Sequence, residues 1–262
     1  MKDVNLLTSN GVNVQKSLEL FGDMATYDET LETFLTDVEA KLSGIKKYKE
    51  VADMANYSIL VHSLKSDAKY FGFDKLSELA YQHEVESKAN NIYYVYDKYE
   101  ELSSEANRIV KLVNTYLGKN IEAAAVQAPV QEIPKDKNIL VVDDSNVINN
   151  FISKLFNNVY GVLIANDGAE AIKILNNATE NKVVAMLLDL NMPNVDGMSV
   201  LEYMNQNNMF DKVAVSIITG EGSMEAIGRV FQYPIVDILR KPFNERDVKS
   251  IVERTVATNN TN

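Results

Sequence analysis

The chain has 262 residues, of which 46% are apolar, so it is long enough to build two domains that each have a packed core. Its 37 acidic and 26 basic residues give a net charge of −11, which argues against a protein that binds the phosphates of nucleic acid. The absence of cysteine excludes disulfides. No apolar run reaches the roughly 18 residues of a membrane span, and the N-terminus lacks the apolar core of a signal peptide. We therefore expect a cytoplasmic protein without membrane insertion.

Residues 1–117 show helical periodicity and no strand pattern. Between Asp28 and Val38 the apolar residues fall on one face of a helix. Further amphipathic segments are predicted at 52–72, 74–90 and 94–117. Because the connections between them are short, we expect an antiparallel helical bundle.

Residues 118–137 differ in composition, with several alanines and glutamines, two prolines and no clear period. We interpret them as a flexible linker between a first domain at 1–117 and a second at 138–262.

The second domain alternates short apolar runs with helical patterns. The predicted strands are 138–143, 161–165, 183–188, 212–218 and 235–239, and the predicted helices are 145–157, 168–178, 197–207, 222–231 and 244–257. This alternation predicts a parallel sheet with helices on both faces.

Polar residues stand where four of these strands end: Asp143 with Asp144, then Asp189, Thr219 and Lys241. The carboxyl ends of parallel strands meet at one edge of a sheet, which is where ligands bind in such folds. Taken alone, Asp189 could be a solvated loop residue; together, the three carboxylates call for a cation, and the hard ion Mg²⁺ fits.

On a helical wheel centred on Leu64, His62 lies about 160° away, on a predicted outer face shared with Lys65, Ser66 and Lys69. An exposed imidazole can act as a nucleophile near neutral pH. An ordinary solvated helix face is the alternative. His83, by contrast, lies on an apolar stripe and is predicted to be a core histidine.

The stretch HSLKSDAKYFG at 62–72 resembles the signature of histidine phosphotransfer (HPt) domains, and the similarity covers about 11–117. The resemblance implies a four-helix bundle in which His62 is phosphorylated and Lys65 is its electrostatic helper.

The motifs VVDD, LLDLNMPNVDG, IITG and LRKPF, in this order within 138–257, resemble the receiver domain of two-component response regulators. The whole chain would then be an α domain followed by an α/β domain. The resemblance implies a doubly wound, flavodoxin-like (β/α)5 fold with strand order 2-1-3-4-5. It also implies that Asp189 becomes an aspartyl phosphate and that Lys241 is followed by a cis proline.

For the metal, the resemblance implies coordination by Asp144 and Asp189, by Asp143 directly or through water, and by the backbone carbonyl of Asn191. Thr219 and Lys241 would contact the phosphoryl group. One departure stands out: three residues before Lys241 the family usually has an aromatic residue, and this chain has Ile238.

The sequence allows three functions. In a phosphorelay, phosphoryl moves between His62 and an aspartate, either Asp189 or one in a partner receiver. Because no nucleotide-binding loop is present, a separate sensor histidine kinase would supply it, and other receiver or HPt proteins would be partners. In an adaptor, phosphorylation of the receiver would be the switch, and the bundle would be a module for docking or dimerisation with a silent His62. A homodimer is therefore possible. A Mg²⁺ phosphohydrolase of the haloacid-dehalogenase type is disfavoured by Asn191, where such enzymes carry an aspartate. The relay is the preferred hypothesis, and the protein is then a signalling protein rather than an enzyme.

Overall fold

The computed structural model describes residues 2–118, 137–220 and 224–259. The chain forms two compact units, Met1–Ala128 and Pro129–Asn262. Apart from its two end residues, the predicted linker at 118–137 lies outside the described residues, so it stays a prediction.

The first unit is helical, as predicted. Its helices are α1 (Val4–Thr8), α2 (Val14–Phe21), α3 (Met24–Glu50), α4 (Met54–Tyr70), α5 (Asp74–Lys88) and α6 (Ile92–Leu117). The four long helices form a ring in which α3 packs against α4 and α6, and α5 packs against the same two helices. Because three-residue connections join them, successive helices run antiparallel.

Side-chain caps and one glycine set the helix boundaries of this bundle. Asp23 caps α3 by accepting from the backbone N–H of Thr26 at 2.8 Å, and Asp53 caps α4 in the same way. After α4 the chain turns at Gly72, which has a φ of +70°. A Cβ there would lie 2.3 Å from the carbonyl oxygen of Asn13, so only glycine fits without displacing backbone.

The second unit is a five-stranded parallel sheet in the order β2-β1-β3-β4-β5, which confirms the predicted order. The strands are β1 (Asn138–Val142), β2 (Gly161–Ala165), β3 (Val183–Asp189), β4 (Ala214–Thr219) and β5 (Ile238–Arg240). The helices are α7 (Asn146–Phe156), α8 (Gly168–Asn176), α9 (Gly197–Gln206), α10 (Met224–Val230) and α11 (Glu245–Asn259).

The prediction for the last strand was wrong in its limits. It placed the strand at 235–239, whereas β5 is shorter and begins at Ile238. The backbone N–H of Ile235 bonds to the carbonyl of Tyr233, which makes a tight turn where the apolar run begins. Among the described residues, two backbone hydrogen bonds join this segment to β4. The N–H of Val236 donates to the carbonyl of Val215, and the carbonyl of Asp237 accepts from the N–H of Ile217.

Helices cover both faces of the sheet. Helices α8, α9 and α10 pack over one face, where Leu140, Met186 and Ile217 lie in the core. Helices α7 and α11 cover the other face. There the buried hydroxyls of Ser216 on β4 and Thr255 on α11 are hydrogen-bonded at 2.6 Å. Among the described helices, none is both long and apolar enough to cross a membrane.

Candidate functional site

The carboxyl edge of the sheet brings the three predicted aspartates together. Asp143 follows β1 and Asp189 ends β3, and carboxylate oxygens of Asp143, Asp144 and Asp189 lie within 4.8 Å of one another. Asp143 and Asp189 are fully buried, whereas Asp144 is partly exposed. The sheet therefore concentrates three acidic groups in one place that is open to solvent on the side of Asp144.

Backbone donors fix the orientation of the two buried carboxylates. Oδ1 of Asp143 accepts from the backbone N–H of Ser145 at 2.9 Å, and Oδ1 of Asp189 accepts from that of Asn191 at 3.1 Å. The chain returns close to this loop at Gly197, where a Cβ would lie 2.2 Å from the carbonyl oxygen of Asp189. The second carboxylate oxygens are left to face the centre of the site.

Lys241 meets these second oxygens. Its Nζ lies 2.6 Å from Oδ2 of Asp143 and 2.6 Å from Oδ2 of Asp189, and its side chain is buried. The peptide bond between Lys241 and Pro242 is cis, as the resemblance implied. With all groups ionised, three carboxylates and one ammonium leave a net charge of −2.

The electrostatics of the site follow from burial and crowding. Burial raises the pKa of Asp143 to about 7; Lys241 opposes the rise, and the charges of Asp189 and Asp144 add to it. Burial would lower the pKa of Lys241, but the three neighbouring carboxylates raise it above its ordinary value. Lys241 is therefore charged at neutral pH, and the site is short of positive charge.

The residues present fit a magnesium ion. Oδ2 of Asp143 and Oδ2 of Asp189 both face the cluster, and the single ammonium of Lys241 leaves part of the charge of the three carboxylates uncompensated. Carboxylates with uncompensated charge are the ligands that Mg²⁺ prefers.

Thr219 is buried at the end of β4, and Ile238 at the start of β5 is half-buried.

The prediction that His62 and Lys65 lie on an exposed face was wrong. Both are only 3% exposed, and Ser66 is buried as well. The reason is that α4 lies between α3 and α5, which supply polar partners to both of its sides: Lys41 of α3 pairs with Asp67, and Glu84 of α5 pairs with His62. A helical wheel counts such polar residues as solvated.

Glu84 is the residue that the sequence reasoning missed. Its Oε1 accepts from Nδ1 of His62 at 2.7 Å and from Nζ of Lys88 at 2.5 Å. Its Oε2 accepts from Nζ of Lys65 at 2.6 Å. Burial would raise the pKa of Glu84, but His62, Lys65 and Lys88 hold it well below its usual range. The signal was present in the sequence, because Glu84 lies one turn after Ala80, on the buried side of α5.

The two histidines are both buried, but in different surroundings. Nε2 of His62 is buried and has no hydrogen-bond partner among the described residues. In a neutral imidazole that donates from Nδ1 to Glu84, the free electron pair would be on Nε2. His83 is a core residue, as predicted: its Nδ1 lies 2.7 Å from the hydroxyl of Tyr57, and burial lowers its pKa.

Comparison with known proteins identifies the second unit. The family model for the response regulator receiver domain matches residues 139–253. The chemotaxis protein CheY1 of Helicobacter pylori (strain J99) is 30% identical over 125 residues, which are 46% of this chain and 98% of that protein. The chain belongs to the response regulator receiver family. Its receiver domain carries the cluster of Asp143, Asp144, Asp189 and Lys241 described above.

Two further proteins are similar to the receiver domain, one of them over only a small part of its length. The CAI-1 autoinducer sensor kinase/phosphatase CqsS of Vibrio cholerae is 30% identical over 122 residues, but these span only 17% of that protein. The crystal structure of a response regulator receiver domain protein from Clostridium thermocellum is 25% identical and covers 48% of this chain and 98% of that one, with a TM-score of 0.43.

Proposed function

We propose that this protein is a phosphorelay component whose receiver domain accepts a phosphoryl group on Asp189. The observation that carries the proposal is the convergence of three carboxylates within 4.8 Å around the ammonium of Lys241. Phosphoryl transfer needs little from a protein beyond alignment and neutralised oxygens. The donor would be the phosphohistidine of a separate sensor histidine kinase.

The chemistry follows from the geometry of Asp189. One of its carboxylate oxygens attacks phosphorus, the N–P bond of the donor breaks, and the imidazole leaves with the electron pair. Lys241 and Thr219 neutralise or hydrogen-bond the phosphoryl oxygens. Asp143, Asp144, Asp189 and the carbonyl of Asn191 would hold Mg²⁺, which supplies charge neutralisation when it is bound. Water later hydrolyses the acyl phosphate and restores the carboxylate.

The second part of the proposal assigns the bundle as an HPt domain with His62 as its phosphoryl carrier. Support comes from the hydrogen bond of Nδ1 to Glu84, since it leaves Nε2 as the nucleophilic nitrogen, and from Lys65 one turn away. Because Nε2 is covered, transfer requires the covering side chains to move first.

A second candidate is the phosphorylation-gated adaptor, in which His62 is structural. The burial of His62 and its hydrogen bond to Glu84 favour it, because a buried histidine with a fixed polar partner can be purely structural. In either case the protein signals to other proteins and is not an enzyme with a small-molecule substrate.

The deciding experiment transfers labelled phosphate from a phosphorylated kinase to the full chain and to variants. Label on Asp189 is lost on treatment with alkali, whereas phosphohistidine survives alkali and is lost in acid. We expect Asp189→Asn to remove the alkali-labile label and His62→Gln to remove the alkali-stable label. Asp211→Asn, which changes an exposed aspartate of the same domain, is the control. Unchanged labelling of Asp189→Asn would reject the receiver proposal. If the wild-type protein acquires no alkali-stable label, His62 is not phosphorylated and the adaptor is favoured.

A further inference from the structure

Asn149 is a polar residue buried in an otherwise apolar part of α7. It is 1% exposed and has the buried residues Ile148, Phe151 and Ile152 as neighbours along the helix. Its Nδ2 donates to the backbone carbonyl of Asp143 at 2.8 Å and to Oδ1 of Asn166 at 3.3 Å. Its own Oδ1 accepts no hydrogen bond from the described residues.

An asparagine in this position is costly as a packing residue. A buried carbonyl oxygen without a donor loses its hydration and gains nothing in return, so a leucine of similar volume would fill the space at least as well. The hydrogen bonds of Nδ2 roughly offset that loss. The residue is therefore better explained by what its amide holds in place than by the stability it adds.

What the amide holds is Asp143. The backbone N–H of Asp143 donates to the carbonyl of Ala165 at 3.1 Å, and its Oδ1 accepts from the backbone N–H of Ser145. Asn149 fixes the remaining backbone atom, the carbonyl oxygen, and so completes the set that orients Asp143 and the following Asp144. Through Asn166 the same amide links this loop to the start of α8, since Asn166 donates to Glu170 at 2.9 Å.

We propose that Asn149 is a positioning residue for the metal site: its amide sets the direction in which Asp143 and Asp144 present their carboxylates to Mg²⁺. The inference rests on the proposed function, because it assumes that the acidic cluster binds Mg²⁺. Outer partners of metal ligands typically change metal affinity by about 10–100-fold when they are removed. We expect the dissociation constant for Mg²⁺ to rise by about tenfold in Asn149→Leu.

The test is isothermal titration of the full chain with Mg²⁺, together with thermal unfolding of the same samples. Asn149→Leu is compared with Asn146→Leu, which changes an exposed residue on the same helix. Weaker Mg²⁺ binding in Asn149→Leu, with an unfolding midpoint close to that of wild type, supports the proposal. An unchanged dissociation constant in a folded Asn149→Leu overturns it.

A second variant covers the case in which Asn149→Leu does not fold. Asn166 is exposed, so Asn166→Ala removes the acceptor that orients the amide without disturbing the core. A two- to threefold weaker Mg²⁺ affinity is expected there, and wild-type affinity in this variant would overturn the proposal. Failure of the wild-type protein to bind Mg²⁺ would instead refute the proposed function, so the two failures are distinguishable.

Discussion

The buried ion pairs of Glu84 allow a quantitative test of how the bundle is held together. Glu84→Gln keeps the size of the side chain but removes its charge, and leaves Lys65, which is 3% exposed, without the carboxylate 2.6 Å away. Removing one partner of a buried pair typically costs 3–5 kcal/mol, because the remaining charge stays desolvated, and we expect a loss of about this size. Lys88 adds little, since its side chain is 56% exposed.

Hydrogen exchange of the full chain measures this loss without isolating the bundle. At about 1.4 kcal/mol per factor of ten, the protected amides of α4 and α5 should exchange about 10²- to 4 × 10³-fold faster in Glu84→Gln. Glu78→Gln, an exposed change on α5, is the control and should shift stability by less than about 0.5 kcal/mol. The double variant Glu84→Gln/Lys65→Met should recover most of the loss.

The same ion pairs predict a pH dependence. Because the folded pKa of Glu84 is depressed, its contribution is fully present above the ordinary carboxyl value of 4.5 and is lost as pH falls below it. The opening free energy of the α4 and α5 amides, obtained after correction for the intrinsic exchange rate at each pH, should therefore fall in acid more steeply in wild type than in Glu84→Gln. If Glu84→Gln exchanges like Glu78→Gln at neutral pH, the buried carboxylate does not stabilise the bundle and the reasoning fails.

Three further predictions concern single contacts. Lys241→Met removes the ammonium from the acidic cluster and should lower phosphoryl uptake about 10²- to 10³-fold, as loss of one charge-stabilising donor does in other active sites. The same change should make Mg²⁺ bind more tightly. Labelling measures the first effect and titration with Mg²⁺ the second. Gly72→Ala places a Cβ 2.3 Å from a carbonyl oxygen at a φ of +70°, and should lower the unfolding free energy of the bundle by about 1–3 kcal/mol in a urea titration. Thr255→Val leaves the hydroxyl of Ser216 without its partner and should cost the receiver domain about 1–3 kcal/mol in the same assay, whereas Ser216→Ala/Thr255→Val should cost less.

The receiver domain was predicted well because its signals are local. The apolar run that ends at Asp189 is a strand buried on both faces, and such strands leave a continuous apolar stretch in the sequence. Once the strands are parallel, topology places Asp143, Asp189 and Lys241 at one edge. The contacts of Asn149 were not predictable in this way, because nothing in the residues around it shows which carbonyl its amide meets.

The environment of His62 was not predictable from its own helix. Periodicity assumes that polar residues face water, but the partners of His62 and Asp67 come from α5 and α3, 22 and 26 residues away in sequence. Such pairs satisfy each other in the interior, so α4 carries polar side chains without an exposed face. An acidic residue on the buried side of a neighbouring helix, here Glu84, is the sequence feature that would have indicated the pairing.

The order in which the site residues occur along the chain affects how the receiver domain is made. During synthesis, Asp143, Asp144 and Asp189 leave the ribosome well before Lys241, which is the buried cation that pairs with Asp143 and Asp189. At about 5–20 residues per second, the 52 residues between Asp189 and Lys241 correspond to several seconds. In that interval a growing chain carries every acidic member of the pocket but not the ammonium, so we expect the carboxyl edge of the sheet to close only after the last strand has been made.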